Sequence, residues 1–226
     1  MVTGLFSCTF NCGSGNIVTE NRNTGSFSGV SAGGAFEVEV NIGDITKVEV
    51  EADDNLIGDI KTSVSGDMLE ISSGSLVNLK GRHYKVYVTT PVINTIKSTG
   101  AADIEVKGML FNNTTLFLES SGASNIKATV DGVNTDIVSS GASEITLSGR
   151  TKKLSIEASG SSSIAAKKLQ TPVADVSTSG SADTDVNVTE SLKASASGAS
   201  SINYFGNPSK VEKTESGSGS IDKDIL

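Results

Sequence analysis

The stretch Ser120–Ile126, SSGASNI, returns at Ser139–Ile145 as SSGASEI. A flexible linker keeps its composition without keeping phase, and a phosphate-cradling loop occurs once, followed by a helix and usually a lysine. Here the motif glycine stands at Gly100, Gly122, Gly141, Gly160, Gly180, Gly198 and Gly217, at intervals of 22, 19, 19, 20, 18 and 19 residues. Copies in phase describe an architecture of stacked repeats.

Aligned on that glycine, the copies sort chemically. Four residues after it stand Ile104, Ile126, Ile145, Ile164, Thr184, Ile202 and Ile221, and four before it Ile96, Leu118, Ile137, Ile156, Val176, Ala194 and Lys213. The position two after it is always small: Ala102, Ser124, Ser143, Ser162, Ala182, Ser200, Gly219. Odd offsets carry polar groups such as Asp103, Asn125, Glu144, Ser163, Asp183, Ser201 and Ser220. Alternation with a period of two marks strands with one face buried and the other wet.

Like residues in like phase stack most simply if each copy is one revolution laid on the last. The expected fold is therefore all-β, a right-handed parallel β-helix (β-solenoid) of about 19–20 residues per coil, with coils about 4.8 Å apart. The small residues around the glycine mark a narrow bend. The hydroxyl just before it, Thr99, Ser121, Ser140, Ser159, Ser179, Ser197 and Ser216, is expected to form a hydrogen-bonded ladder or an exposed stripe. Pro91, Pro172 and Pro208 fall where a corner opens into a strand, a place with no ladder N–H to lose. In the last copy Lys213 and Lys223 take apolar positions, as suits a solvated terminal coil.

The N-terminal half is less regular. GGAFEVEV at 33–40 fits the motif through Gly34, and the distance from there to Gly100 leaves room for three further coils or for inserted hairpins. Residues 1–15 read as a flexible segment and 16–226 as one continuous β-helical domain, with regular coils from about residue 96. Leu5-Phe6-Ser7-Cys8 has the form of a loose lipoprotein cleavage box that would place a lipid on Cys8. No basic n-region or apolar h-region of about 7–15 residues stands before it, and Cys8 and Cys12 equally suit a short disulfide or free thiols.

The composition fits this picture: Trp 0, Pro 3 and Gly 24, with β-branched residues in place of long helix formers. A net charge of −8 and scattered lysines exclude a nucleic-acid surface. Two cysteines and one histidine make no tetrahedral zinc site without carboxylates.

The order and spacing of GSGNIVTENR (13–22), FSGVSAGGAFEVEV (27–40), VEVEADDNLIGDIKTSVSGDMLEIS (48–72), YKVYVTTPVINTIKSTGAADIEV (84–106) and the SGAS repeats resemble the auto-transporter adhesin head GIN domain family, found in the envelopes of Bacteroidetes. The resemblance covers nearly the whole chain. It implies a β-helical fold, an envelope or surface location, often as a lipoprotein, and a binding role, and it brings no ligand or functional residues with it.

Signs of catalysis are few. His83 lacks a nucleophile partner at recognisable spacing and reads as a surface or strand-end residue. The column Asp103, Asn125, Glu144, or Asp183 with Asp185, could imitate the carboxylates of polysaccharide-cleaving β-helices, but polar outer columns are what any solvated solenoid needs. Asp53 and Asp54 suit an acidic turn or a cation, and the nineteen-residue period without GGxGxD excludes calcium-binding nonapeptide repeats. Phe117 and Tyr204-Phe205 are too few and too separated to define a sugar platform. The expectation is a non-enzymatic, secreted or surface-anchored scaffold without cofactor or metal, binding a glycan or protein ligand and touching membrane only through a lipid on Cys8. The alternatives are a polysaccharide lyase or hydrolase and a structural envelope spacer. Oligomeric state is not readable from the sequence.

Overall fold

Ile104, Ile126, Ile145 and Ile164 form one column, each the ladder partner of the next, and all are buried. Thr184, Ile202 and Ile221 continue it. Because the repeat holds its phase, every coil offers the same side chain to the same point of the core. Burying each isoleucine contributes about 1.5–3 kcal/mol, and the column makes parallel pairing the arrangement that buries all of them together. The computed structural model describes residues 13–74 and 84–225, and it is a β-solenoid of about 7 turns, in agreement with the sequence reading.

The strands are β1 (Ile17–Arg22), β2 (Gly29–Gly34), β3 (Glu37–Ile42), β4 (Lys47–Asp53), β5 (Ile60–Ser65), β6 (Met68–Ser73), β7 (Tyr84–Thr90), β8 (Thr95–Gly100), β9 (Asp103–Ser120), β10 (Asn125–Ser139), β11 (Glu144–Ala158), β12 (Ser163–Thr178), β13 (Asp183–Ala196), β14 (Ser201–Phe205), β15 (Lys210–Glu215) and β16 (Ser220–Lys223). A single 3-10 turn, Ile57–Asp59, is the one helical element among the described residues. The long strands β9–β13 each begin on one face, pass a corner and end on a second face. The chain then turns at the motif glycine into the next coil. On the first face the order is β1-β4-β7-β3-β9-β10-β11-β12-β13-β14-β16, and on the second β5-β6-β2-β8 leads into the far halves of β9–β13 and then β15.

The glycine bend is narrow because consecutive glycines sit on one another. Gly141 has φ 77°, and a Cβ placed there would stand 2.7 Å from the backbone oxygen of Gly122. That oxygen accepts the N–H of Ala142 at 2.7 Å. A left-handed backbone and a filled Cβ site both demand glycine.

Buried hydroxyls pair at this bend at even offsets. Ser120 with Ser124 and Ser139 with Ser143 lie two before and two after one glycine, while Thr178, two before Gly180, meets Ser200, two after Gly198, in the next coil, each pair at 2.9 Å. Ser143 also donates to the carbonyl of Ser140 at 2.8 Å, and Ser200 to that of Ser197 at 2.9 Å. These even offsets face the core, where an unpaired hydroxyl is costly, so these residues pair with each other and with backbone; Ser162, two after Gly160, is the exception, buried with its hydroxyl unpartnered. The hydroxyls immediately before the glycine are half-buried or exposed.

The N-terminal coils realise the inserted-strand alternative; three successive coils are not built. β8 and the start of β9 rest directly on β2 and β3, with Val30 beneath Ile96 and Val38 beneath Ile104. The intervening chain drops below that coil. β7 pairs in parallel with β3 and β6 with β2, while β4 runs antiparallel to β7 and β5 to β6. Antiparallel strands need no crossover connection, so a short chain can reverse and seal the end.

One core runs from Phe27 to Ile221. At the N-terminal end Arg22 pairs with Glu20 at 3.0 Å and donates to the carbonyl of Ile57 at 2.9 Å. At the C-terminal end Lys213 donates to the carbonyl of Ile221 at 2.6 Å, and Glu215 accepts from its N–H at 2.8 Å. Charged side chains over both ends of the stack disfavour pairing with a further strand.

Candidate binding site at the second corner

The corner opposite the glycine bend is less uniform, and it holds a cleft of about 530 Å³. Asp131, Arg150 and Gln170 line it, and they belong to an outward column that runs one rung further, beyond the cleft, to Phe111. Phe111 on β9 is the ladder neighbour of Asp131 on β10, Asp131 of Arg150 on β11, and Arg150 of Gln170 on β12. Pro172 stands on the cleft wall. A register shift between Thr171 and Val173 lets β12 and β13 accept a residue without an N–H.

Arg150 grips Asp131 with two parallel hydrogen bonds, Nε to Oδ1 at 2.9 Å and Nη2 to Oδ2 at 2.6 Å. Hydrogen bonding from the guanidinium, then its charge, hold the Asp131 carboxyl below its ordinary range, and the same contact raises the Arg150 guanidinium. The arginine side chain is 73% exposed, so the pair is an open planar surface and adds little to stability. Beside it the Phe111 residue is 71% exposed.

A second concavity, about 310 Å³, lies on the first face among Lys107, Lys127 and Lys168, with the Thr129 and Ser148 hydroxyls joined at 2.9 Å. Glu105 neutralises part of that charge, meeting Lys127 at 3.1 Å and also Lys107. Hydrogen bonds from Lys107 first and then Lys127 hold its carboxyl below the ordinary range.

Asp103, Glu144, Asp183 and Asp185 do not gather at one point, although Asp103 shares a concavity of about 190 Å³ with Glu37, Glu39, Glu105 and Lys85. Asp103 accepts from the side-chain amide of Asn125, Glu144 from Thr146 at 3.2 Å, Asp183 from the Ser201 hydroxyl, and Asp185 from Asn203 at 3.0 Å. Each is tied to a neighbour in its own strand or the next one. Among the described residues no group of three or more histidine, cysteine or acidic side chains is arranged to hold a metal ion.

The acidic turn at Asp53 and Asp54 has a different role. Asp53 accepts the N–H of Gly15 at 2.7 Å, and Asp54 accepts from the Ser14 hydroxyl and from Asn16 at 2.9 Å. The turn clasps the segment leading into β1. Phe117 lies under Lys97, whose ammonium is 5.5 Å from the ring centroid. Tyr204 and Phe205 are buried at 7% and 2% exposure, so they close the late coils from within. Cys8, Cys12 and His83 lie outside the described residues.

The sequence reading did not single out this group. The signal for Asp131 and Arg150 was their common place 10 residues before the next motif glycine, and for Phe111 the longest interval, Gly100 to Gly122, which contains the extra residues around KGMLFNN.

A solenoid with solvated outer columns and an open corner cleft defines a scaffold of the extended, surface-presenting class. The chain belongs to the family described as "putative auto-transporter adhesin, head GIN domain", which matches residues 26–208. Among solved structures it is similar to a "putative adhesin" from Bacteroides fragilis at 24% identity and TM-score 0.88, covering 94% of this chain and 99% of that one. A "putative adhesin" from Parabacteroides merdae matches at 18% identity and TM-score 0.72, covering 94% and 98%. A "putative lipid binding protein" from Parabacteroides distasonis matches at 24% identity and TM-score 0.71, also covering 94% and 98%. At these identities the likeness establishes the fold. No curated protein matches the chain. Among the described residues, no helix is long and apolar enough to cross a membrane.

Proposed function

We propose that this protein is a non-enzymatic binding scaffold, secreted or displayed at the cell surface, which holds a glycan or protein of the envelope or host. Anchoring through a lipid on Cys8 belongs to the same reading. The family and its adhesin relatives support a binding role. The observation that carries the reading is the arrangement of the outer columns. The Asp103, Asn125, Glu144 column and the Asp183 and Asp185 pair are tied by hydrogen bonds to neighbours in the same strand or on the next rung, whereas the second corner offers an open cleft with a planar ion pair, one rung from an exposed ring.

The experiment is retention without turnover. Purified protein should hold a ligand on glycan or protein arrays and release no product from a broad polysaccharide panel. Product release abolished by Glu144→Gln or Asp103→Asn would replace this reading with a hydrolase or lyase, and silence on every array would favour a spacer.

A further inference from the structure

We infer that the second-corner cleft is a saccharide site, taking an uncharged, hydroxyl-rich stretch of glycan laid along the solenoid axis across β9–β12. This rests on the binding role proposed above and names its ligand class and contact residues.

The chemistry of the column selects the class. One rung beyond the cleft lining, Phe111 offers an exposed ring, and the C–H face of a pyranose leaving the cleft is a flat apolar surface that packs on such a ring. The next rung carries Asp131 and the one after it Arg150, locked edge to edge. That lock uses one edge of each planar group; the guanidinium, 73% exposed, keeps its remaining N–H groups open to a ligand, and the carboxylate, 25% exposed, keeps lone pairs beyond the two in the lock. Fixed acceptors beside fixed donors match vicinal hydroxyls, each of which both gives and accepts a hydrogen bond. Gln170 adds a further amide donor and acceptor on the following rung.

Charge decides against an anion as the main ligand. A free arginine in a cleft would draw phosphate or carboxylate, but here Asp131 already satisfies it. Lys152 at the margin leaves a single further cation. The cleft volume of about 530 Å³ lies within the range of about 300–1,000 Å³ usual for small-ligand sites. Phe111 to Gln170 spans three rung intervals of about 4.8 Å, or about 14 Å, room for a short run of sugar residues.

The remaining features carry less. The lysine-lined concavity is partly discharged by Glu105. The acidic groups Glu37, Glu39 and Asp103 near Lys85 have no second feature pointing to a ligand.

The test uses the whole chain and three variants, Phe111→Ala, Arg150→Ala and Gln170→Ala, on an array carrying neutral, acidic and sulfated glycans and envelope proteins. All three positions are solvent-exposed, so thermal unfolding should match the parent, and Lys193→Ala on the second face serves as a control. The expected result is binding to a neutral glycan, weakened about tenfold or more by Phe111→Ala and Arg150→Ala, unchanged by Lys193→Ala, and nearly insensitive to salt. Glycan binding that survives all three variants would overturn the site and leave the binding role standing. Binding confined to proteins, or to anionic glycans with affinity collapsing at high salt, would overturn the ligand class with the same consequence. Silence on the whole array would remove both.

Discussion

Gly100 lies directly on Gly34, although all of β4–β7 comes between them in the chain. A Cβ on Gly100 would stand 3.1 Å from the backbone nitrogen of Gly34, and the N–H of Ala101 reaches the Gly34 oxygen at 2.7 Å. The glycine stack is therefore continuous from the first coil to the last. Gly141→Ala should destabilise the fold by about 2 kcal/mol or more, combining left-handed strain with backbone contact. Gly66→Ala has comparable dihedral strain at φ 58° but nothing within 4 Å of the added methyl. Denaturant titration of both variants separates stacking from conformation, and equal losses would remove the stacking argument.

Thr184 interrupts the isoleucine column. It is buried at 1% exposure between Ile164 and Ile202, and its hydroxyl has no hydrogen-bond partner. Thr184→Val keeps the shape and removes the orphaned group, so stability should rise by about 1 kcal/mol or more. A lower midpoint in urea would show that the hydroxyl is satisfied in solution.

The inner and outer hydroxyls of one bend should behave differently. Ser143 bonds the Ser139 hydroxyl and the carbonyls of Ser140 and Ser120. Ser143→Ala leaves buried groups unpaired and should cost about 1–3 kcal/mol. Ser140→Ala, half-exposed, should change stability by less than about 0.5 kcal/mol. Comparable costs in calorimetry would place the supporting ladder on the outside after all.

The clasp on β1 should respond to pH. Hydrogen bonds from Ser14 and then Asn16 hold the Asp54 carboxyl below its ordinary value in the folded chain. A group lowered by folding contributes its full stabilisation above its unfolded pKa and loses it as pH falls through the folded one. Protection factors across residues 14–22, taken against the intrinsic exchange rate at each pH, should therefore fall in acid. Asp54→Asn should lower protection there at neutral pH and flatten its acid dependence. Exchange that is independent of Asp54 would mean that β1 pairing with β4 alone holds the segment.

The inward isoleucines were legible because two rules act together. Alternation assigns each residue a side, and a constant period assigns it a height, so Ile126, Ile145 and Ile164 had one place to go. The same rules located the glycine bend and offered its preceding hydroxyls as a ladder or an exposed stripe; they form the stripe, and the buried hydroxyl pairs lie at the even offsets. Whether Ser140 or its neighbours Ser139 and Ser143 face inward depends on how the backbone turns through Gly141. Likewise, Gly34 announced a first coil, but its spacing to Gly100 fitted three coils as well as a descending set of strands. Local pattern cannot distinguish parallel from antiparallel partners when both bury Val48, Val50, Val86 and Val88.

From the sequence alone came the solenoid, its core columns and the glycines at its bend, since these depend on residue type at fixed intervals. Tertiary structure alone decided the second corner. There the coils differ in length, and bulges such as those between Lys127 and Thr129 and between Gly132 and Asn134 shift the register. Those shifts bring Phe111, which stands 11 residues before its next motif glycine, onto the outward column of Asp131, Arg150 and Gln170, which each stand 10 before theirs. A ladder pairs residues by the backbone hydrogen bonds that close in space, so where the period slips, only the folded chain determines which side chains become neighbours.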